Sequence, residues 1–227
     1  RLQLKAGSSL DYETASSYSL NIVSSDDGGL TYSQDFTIVL SDVNDRPVIT
    51  SDSAGATANV SVAENQTLVT TVLTEDEDAG DGSTGTALSY TVDTSGGVDH
   101  TLFSLGAASG ALSFITAPNF EVMTDGDTDG VYQVTVVVSD DEGLTDSQLI
   151  SVTVSDVNEA PTDIVLSSNS IDEDAVDATV VGTLSSTDQD SSDTHSYTLS
   201  DDLGLFEIVD NSRLQLKAGS SLDYETA

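Results

Sequence analysis

Fifteen residues, Arg1 to Ala15, recur unchanged as Arg213 to Ala227. Identity over that length marks one period of a repetitive array, here 212 residues long, followed by a short overlap. A looser repeat divides the period. Asp26-Asp27-Gly28-Gly29-Leu30 matches Asp140-Asp141-Glu142-Gly143-Leu144, and Asp42-Val43-Asn44 matches Asp156-Val157-Asn158, both 114 residues further on. The period therefore holds two related domains, one whole and one cut. The expected boundaries are the C-terminal half of a domain at 1–46, a complete domain at 47–160, and the N-terminal half of the next at 161–227, where 213–227 repeats 1–15. Residues 161–212 followed by 1–46 make 98 residues, an ordinary domain size.

Within these frames the apolar residues alternate with period two, the pattern of half-buried strands. Tyr18, Leu20 and Ile22 share one face, as do Phe36, Ile38 and Leu40, then Tyr132, Val134, Val136 and Val138, then Ile150, Val152 and Val154. Shorter strands are expected at 67–73, 87–93, 111–116, 178–184 and 196–200, separated by Gly- and Asp-rich turns. No helix is expected, and 172–179 reads as an acidic surface turn. About seven short strands in the complete domain is the count of an immunoglobulin-like sandwich. The expected fold is all-β: tandem seven-stranded Greek-key β-sandwiches joined end to end.

Charge narrows the function. There are 40 Asp and Glu against 5 Lys and Arg, a formal charge of −35. Such a chain repels nucleic acid and anionic membranes, and it must bind cations or stay unfolded. The patterned apolar residues argue for the first. With no Cys there is neither a disulfide nor thiolate chemistry. No apolar run reaches the ~18 residues of a membrane span, so direct membrane insertion is not expected. No signal peptide is visible, so any secretion signal is expected outside this stretch.

Asp42-Val43-Asn44-Asp45-Arg46-Pro47 and Asp156-Val157-Asn158-Glu159-Ala160-Pro161 each close an alternating run and lead into a new one. Each reads as a hinge between β-domains that crowds oxygen ligands of the kind calcium prefers. With the acidic motifs around them, these segments resemble cadherin repeats, specifically the cadherin-like repeats of large bacterial surface adhesins, over essentially the whole chain. The resemblance implies calcium as the cofactor. At the junction near Asn44 it implies Asp11 and Glu13, then Asp42, the Val43 carbonyl, Asn44 and Asp45, then Asp76, Asp78 and Asp140 as ligands. The early Glu that would serve this junction lies outside the chain, and its repeat copy is Glu173. At the junction near Asn158 it implies Glu64 and Glu121, then Asp156, the Val157 carbonyl, Asn158 and Glu159, then Asp188 and Asp190, with a late Asp that would be the copy of Asp26. Arg46 and Ala160 replace the last Asn of the family linker, Asn119 stands where Asp11 stands, and Glu159 replaces Asp. Fewer ions than the family's usual three are therefore expected at some junctions.

The resemblance further implies a structural, calcium-stiffened module of an extracellular adhesin or filament at the cell surface, as in a biofilm matrix. A polysaccharide-binding module is the alternative. Because a severed sandwich exposes its inner face, neighbouring copies of the repeat are the expected partners, in the same chain or swapped between chains. Catalysis is not expected. His100 and His195 have no His or Cys neighbour, there is no Trp sugar platform, and no Ser/His setting is recognisable. Asn59 and Asn65 fit the glycosylation acceptor pattern, which matters only in a glycosylating host. Asp125-Gly126-Asp127-Thr128-Asp129-Gly130 matches the first half of an EF-hand loop, but Val136 stands where that loop needs Glu. It reads either as an extra calcium loop or as an acidic turn.

Overall fold

A computed structural model describes residues 2–52, 54–78, 87–200 and 203–223. The chain divides into two compact units, Arg1–Asp156 and Val157–Ala227. Among the described residues there is no α-helix.

The first unit opens with a hairpin of β1 (Ser17–Ser25) and β2 (Thr31–Val39). Its register runs from Ser17 opposite Val39 to Ser25 opposite Thr31. Asp26 closes the turn by accepting the Leu30 N–H at 2.8 Å. Apart from half-buried Leu20, every residue of both strands is exposed.

A sandwich follows. Its strands are β3 (Val48–Ile49), β4 (Thr57–Ala63), β5 (Leu68–Thr71), β6 (Thr74–Glu75), β7 (Ser89–Asp93), β8 (Phe103–Leu105), β9 (Ala111–Phe114), β10 (Val131–Ser139) and β11 (Thr145–Ser155). One sheet runs β4-β11-β10-β7; the other is β5-β9-β8 with the short pair β3-β6. β3 and β4 are two pieces of one strand, the first antiparallel to β6 and the second parallel to β11. β5 and β6 are likewise pieces of one strand, interrupted where the Val72 N–H bonds the Gly110 carbonyl at 2.9 Å. Counted this way the sandwich has seven strands. Gly110 sits at φ +65°, and a Cβ there would lie 2.3 Å from the Val72 carbonyl oxygen, so only glycine permits this approach.

Alternation builds the core. Tyr132, Val134, Val136 and Val138 of β10 are buried, while the residues between them are half-buried. Phe114 of β9 stacks on Phe103 at 4.6 Å and meets Tyr132 of the opposite sheet edge-on at 5.2 Å, tying the two layers together. Each such side chain removed from water contributes roughly 1.5–3 kcal/mol. The matching of chain pattern to pleat is thus what fixes the sandwich.

The second unit is one antiparallel sheet of β12 (Asp163–Leu166), β13 (Val180–Thr187), β15 (Arg213–Leu216) and β14 (Phe206–Val209), in that order across the sheet. Residues 172–179 form turns, as expected. Residues 196–200 do not form the expected strand. Their counterpart by sequence, β7, pairs only with β10, and this unit holds no counterpart of β10 among its described residues. A strand without a neighbour has no ladder to join.

Candidate metal centre

The segment 40–47 joins the hairpin to the sandwich inside the first unit. The Leu40 N–H bonds the Ser16 carbonyl at 2.9 Å, and Pro47 is buried. Between them the chain is stitched to two loops. The Asp45 N–H donates to Asp78 Oδ2 at 2.8 Å, and Asn44 Nδ2 donates to Asp140 Oδ2 at 2.9 Å. The Asp78 N–H in turn reaches Asp76 Oδ1 at 3.2 Å. Asp140, 5% exposed, also accepts the Glu142, Gly143 and Leu144 N–H groups at 3.0, 2.6 and 2.9 Å. The turn before β1 brings in Glu13, with Asp11 capping it through the Thr14 N–H and hydroxyl, both at 2.8 Å.

These anchors gather negative charge. Oxygens of Glu13, Asp42 and Asp78 lie within 4.8 Å of one another, and so do those of Glu13, Asp45 and Glu77. Among the described residues, the buried oxygens Glu13 Oε1, Asp42 Oδ1, Asn44 Oδ1 and Asp76 Oδ2 lack a hydrogen bond. Buried carboxylates without hydrogen-bond or cation partners are costly, and a hard divalent cation satisfies several oxygens at once. Arg46 does not fill that role, because its guanidinium donates to the Thr145 carbonyl at 2.9 Å.

Titration reflects the crowding. The backbone N–H of Glu13 draws its carboxyl down, but burial and the charges of Asp42, Asp78 and Asp45 push it up on balance. Burial pushes Asp76 up, and Asp78 and Asp140 add to it, against the Asp78 N–H. Burial would raise Asp140 as well, yet the Asn44 side chain and three N–H groups hold it below the usual range. Asp11 is lowered by the Thr14 N–H and hydroxyl.

Of the residues implied for this junction, Glu13, Asp42, Asp45 and Asp78 are brought together. Asn44, Asp76 and Asp140 are tied to them by the hydrogen bonds above, and Val43 has an exposed side chain. Asp11 is exposed and serves its own turn. Glu77 was not anticipated. It sits between Asp76 and Asp78, and an alternating Asp-Glu-Asp run is the signal that could have found it.

The residues implied near Asn158 divide between the units. In the first, Glu64 is 1% exposed, its Oε2 accepts the Phe120 N–H at 2.9 Å and its N–H bonds the Ser155 carbonyl at 3.0 Å. Glu121 and Asp156 are exposed. Asn119 accepts the Val122 N–H at 2.8 Å, so it caps its turn just as Asp11 does. In the second unit, the Glu159 N–H donates to Asp190 Oδ2 at 2.6 Å and the Asp190 N–H to Asp188 Oδ1 at 3.2 Å, the same two bonds that Asp45, Asp78 and Asp76 make. Asn158 Nδ2 bonds the Glu159 carbonyl at 2.9 Å instead of an aspartate. Val157 and Glu173 are exposed, and His195 lies 3.7 Å from Asp188. Asp26 stays at the tip of the β1–β2 hairpin, where it accepts the Leu30 N–H.

Comparison with known proteins places this architecture. Residues 44–153 match the family model described as Bacterial Ig domain. Human protocadherin gamma-A2 is 28% identical over 188 residues, covering 81% of this chain and 19% of the relative, so the chain spans about a fifth of that protein. The protocadherin GammaB4 extracellular domain superposes with a TM-score of 0.55 at 22% identity, over 96% of this chain and 34% of that one. Mouse protocadherin-24 EC1-3 superposes with a TM-score of 0.51 at 22% identity, over 96% and 71%. Domains of these kinds are usually extracellular or surface-exposed and typically non-catalytic, and the acidic groups described above resemble cadherin interdomain calcium sites. Residues 44–153 are thus similar to a bacterial Ig domain, and the chain has the all-β fold of tandem cadherin-like domains seen in protocadherin ectodomains.

Proposed function

We propose that the chain is a calcium-stiffened spacer module of an extracellular adhesin or filament, with neighbouring copies of the repeat as its partners. The observation that carries this reading is the cluster of Glu13, Asp42 and Asp78 around a linker whose buried oxygens lack hydrogen bonds. Without a cation the carboxylates repel, and the linker is held by a few hydrogen bonds. With calcium, oxygens from the turn before β1, from 42–45 and from 76–78 share one ion, and the hairpin is fixed to the sandwich. Binding restricted to the ordered state stabilises it by mass action, about 1.4 kcal/mol for tenfold calcium over Kd. Affinities of order 0.1–1 mM suffice outside cells.

The test is thermal unfolding and limited proteolysis of the whole chain in chelator and in 5 mM calcium. Calcium should raise Tm and protect residues 40–47 from cleavage, and Asp78→Asn should remove most of both effects. Identical unfolding and cleavage with and without calcium would overturn the reading.

A further inference from the structure

The domain at 47–160 holds buried acid and no Lys or Arg. The five basic residues of the chain are Arg1, Lys5, Arg46, Arg213 and Lys217, so none lies within it. Arg46, just before it, is taken by the Thr145 carbonyl, and His100, the domain's imidazole, faces the Gly97 carbonyl at 3.2 Å. A buried carboxylate here must be met by backbone N–H groups or by an ion from solvent. The loop entering β10 uses the first and leaves room for the second.

Two aspartates set its shape. Asp99, 1% exposed, accepts the Gly126 N–H at 2.5 Å and the Gln133 N–H at 2.8 Å, so both of its oxygens are spent on backbone. Asp125, 4% exposed, accepts the Asp129 and Gly130 N–H groups at 2.7 and 3.1 Å, both through Oδ2. Its Oδ1 is buried and has no hydrogen-bond partner. The Thr124 N–H ties the start of the loop to the hydroxyl of Tyr132, a core residue, at 3.2 Å. Braced in this way, Asp125 cannot turn Oδ1 out to water without giving up its turn. Beside it stand Asp127 and Asp129, both exposed. One oxygen from each of the three aspartates lies within 4.8 Å of the other two.

The loop is an addition to the strand framework. Glu121 and Tyr132 are six residues further apart than Glu13 and Tyr18, yet β1 and β2 pair in the register of β10 and β11 without the extra residues. The strands do not need these charges in order to form. We infer that Asp125, Asp127 and Asp129 bind one calcium ion within the module, apart from the linkers, and that this ion pins the entry to β10. Calcium takes about six to eight oxygens in flexible geometry, whereas magnesium demands an octahedron and keeps most of its waters, so three carboxylates on one short loop suit calcium. Val136, where an EF-hand would place its closing Glu, is buried in the core. Water therefore completes the coordination, and binding is weak, of order 0.1–1 mM.

The site stands apart from the linker cluster, and its test separates the two. Backbone amides of the nitrogen-15-labelled whole chain are followed by NMR as calcium is raised to about 10 mM, roughly ten times the weak end of that range. Amides of residues 125–131 should move along one saturating curve, alike in wild type and in D78N, which is altered only at the linker. D127N changes an exposed side chain and should weaken that curve at least tenfold, while the amides of β10 and β11 keep their positions. Magnesium at the same concentrations should give less than a tenth of the shift, and a match to calcium would overturn the choice of ion. Shifts that grow without saturating, as a diffuse counter-ion cloud gives, would overturn the site. So would a curve that D127N leaves unchanged or that D78N abolishes. Saturating shifts at 42–45 with none at 125–131 would sink this inference and leave the linker reading standing.

Discussion

The hairpins β1–β2 and β10–β11 are the same local structure in two settings. Their pairing matches residue for residue across a shift of 114. Their burial does not. Ile22 is 44% exposed and its counterpart Val136 fully buried; Phe36 is 42% exposed and its counterpart Ile150 fully buried. The difference separates two causes that are usually entangled. Register is set locally, by the turn that Asp26 or Asp140 closes and by the period-two pattern. Stability is set by the opposite layer, which covers β10–β11 and, among the described residues, does not cover β1–β2. An isolated two-stranded hairpin is marginal in water.

The sharpest way to break this comparison is to truncate one matched position in each hairpin. Ile150→Ala should cost about 2–5 kcal/mol of sandwich stability, the range for a fully buried aliphatic side chain. Phe36→Ala in dilute chain should change urea unfolding by less than about 0.5 kcal/mol. Equal costs for the two in dilute solution would mean that β1–β2 is already covered, and the contrast would collapse.

A smaller effect is expected at the turns. Asp140 accepts three backbone N–H groups and the Asn44 amide, whereas Asp26 accepts the Leu30 N–H in the open. Asp140→Ala should lower the Tm of the sandwich by about 2–4 °C, and Asp26→Ala by less than half of that. Calorimetry would resolve the two. A drop as large for Asp26 as for Asp140 would show that the turn alone, and not the linker contact, carries the effect.

The contrast also explains what could be read from the residues and what could not. The alternation at Tyr132–Val138 and Ile150–Val154 revealed β10 and β11 because neighbours and turns are written into nearby sequence. The same alternation at Tyr18–Ile22 revealed a strand, while its exposed face followed from the repeat frame that cuts this domain, not from the alternation. The strand expected at 196–200 is absent for the complementary reason: alternation states a preference, and among the described residues no strand pairs with it as β10 pairs with β7. At the linker, the motif spacing was enough to gather Glu13, Asp42, Asp45 and Asp78, yet Glu77 escaped because motif matching looks at Asp-x-Asp and skips the middle. The orphaned Asp42 and Asn44 oxygens were beyond reach of sequence, since satisfaction of a polar atom depends on three-dimensional neighbours.

The gentlest probe of the linker is pH, because carboxylates of the turn before β1, of 42–45 and of 76–78 are packed together there. Glu13 and Asp76 have raised values in the folded chain, so their stabilising contribution is complete below their unfolded values and is lost as pH rises through the folded ones. Asp140 is depressed and works the other way, losing its contribution as pH falls through its folded value. In chelator, Tm should therefore rise by a degree or two, roughly, as pH falls from 7 toward the ordinary carboxylate range, then fall once Asp140 protonates. In calcium the rise should vanish, because protons and the cation compete for the same oxygens and the metal-bound state favours neutral pH. Parallel Tm–pH curves with and without calcium would place the metal away from Glu13 and Asp76. The D78N variant should flatten the chelator curve, since removing one charge relieves the repulsion that raises both neighbours.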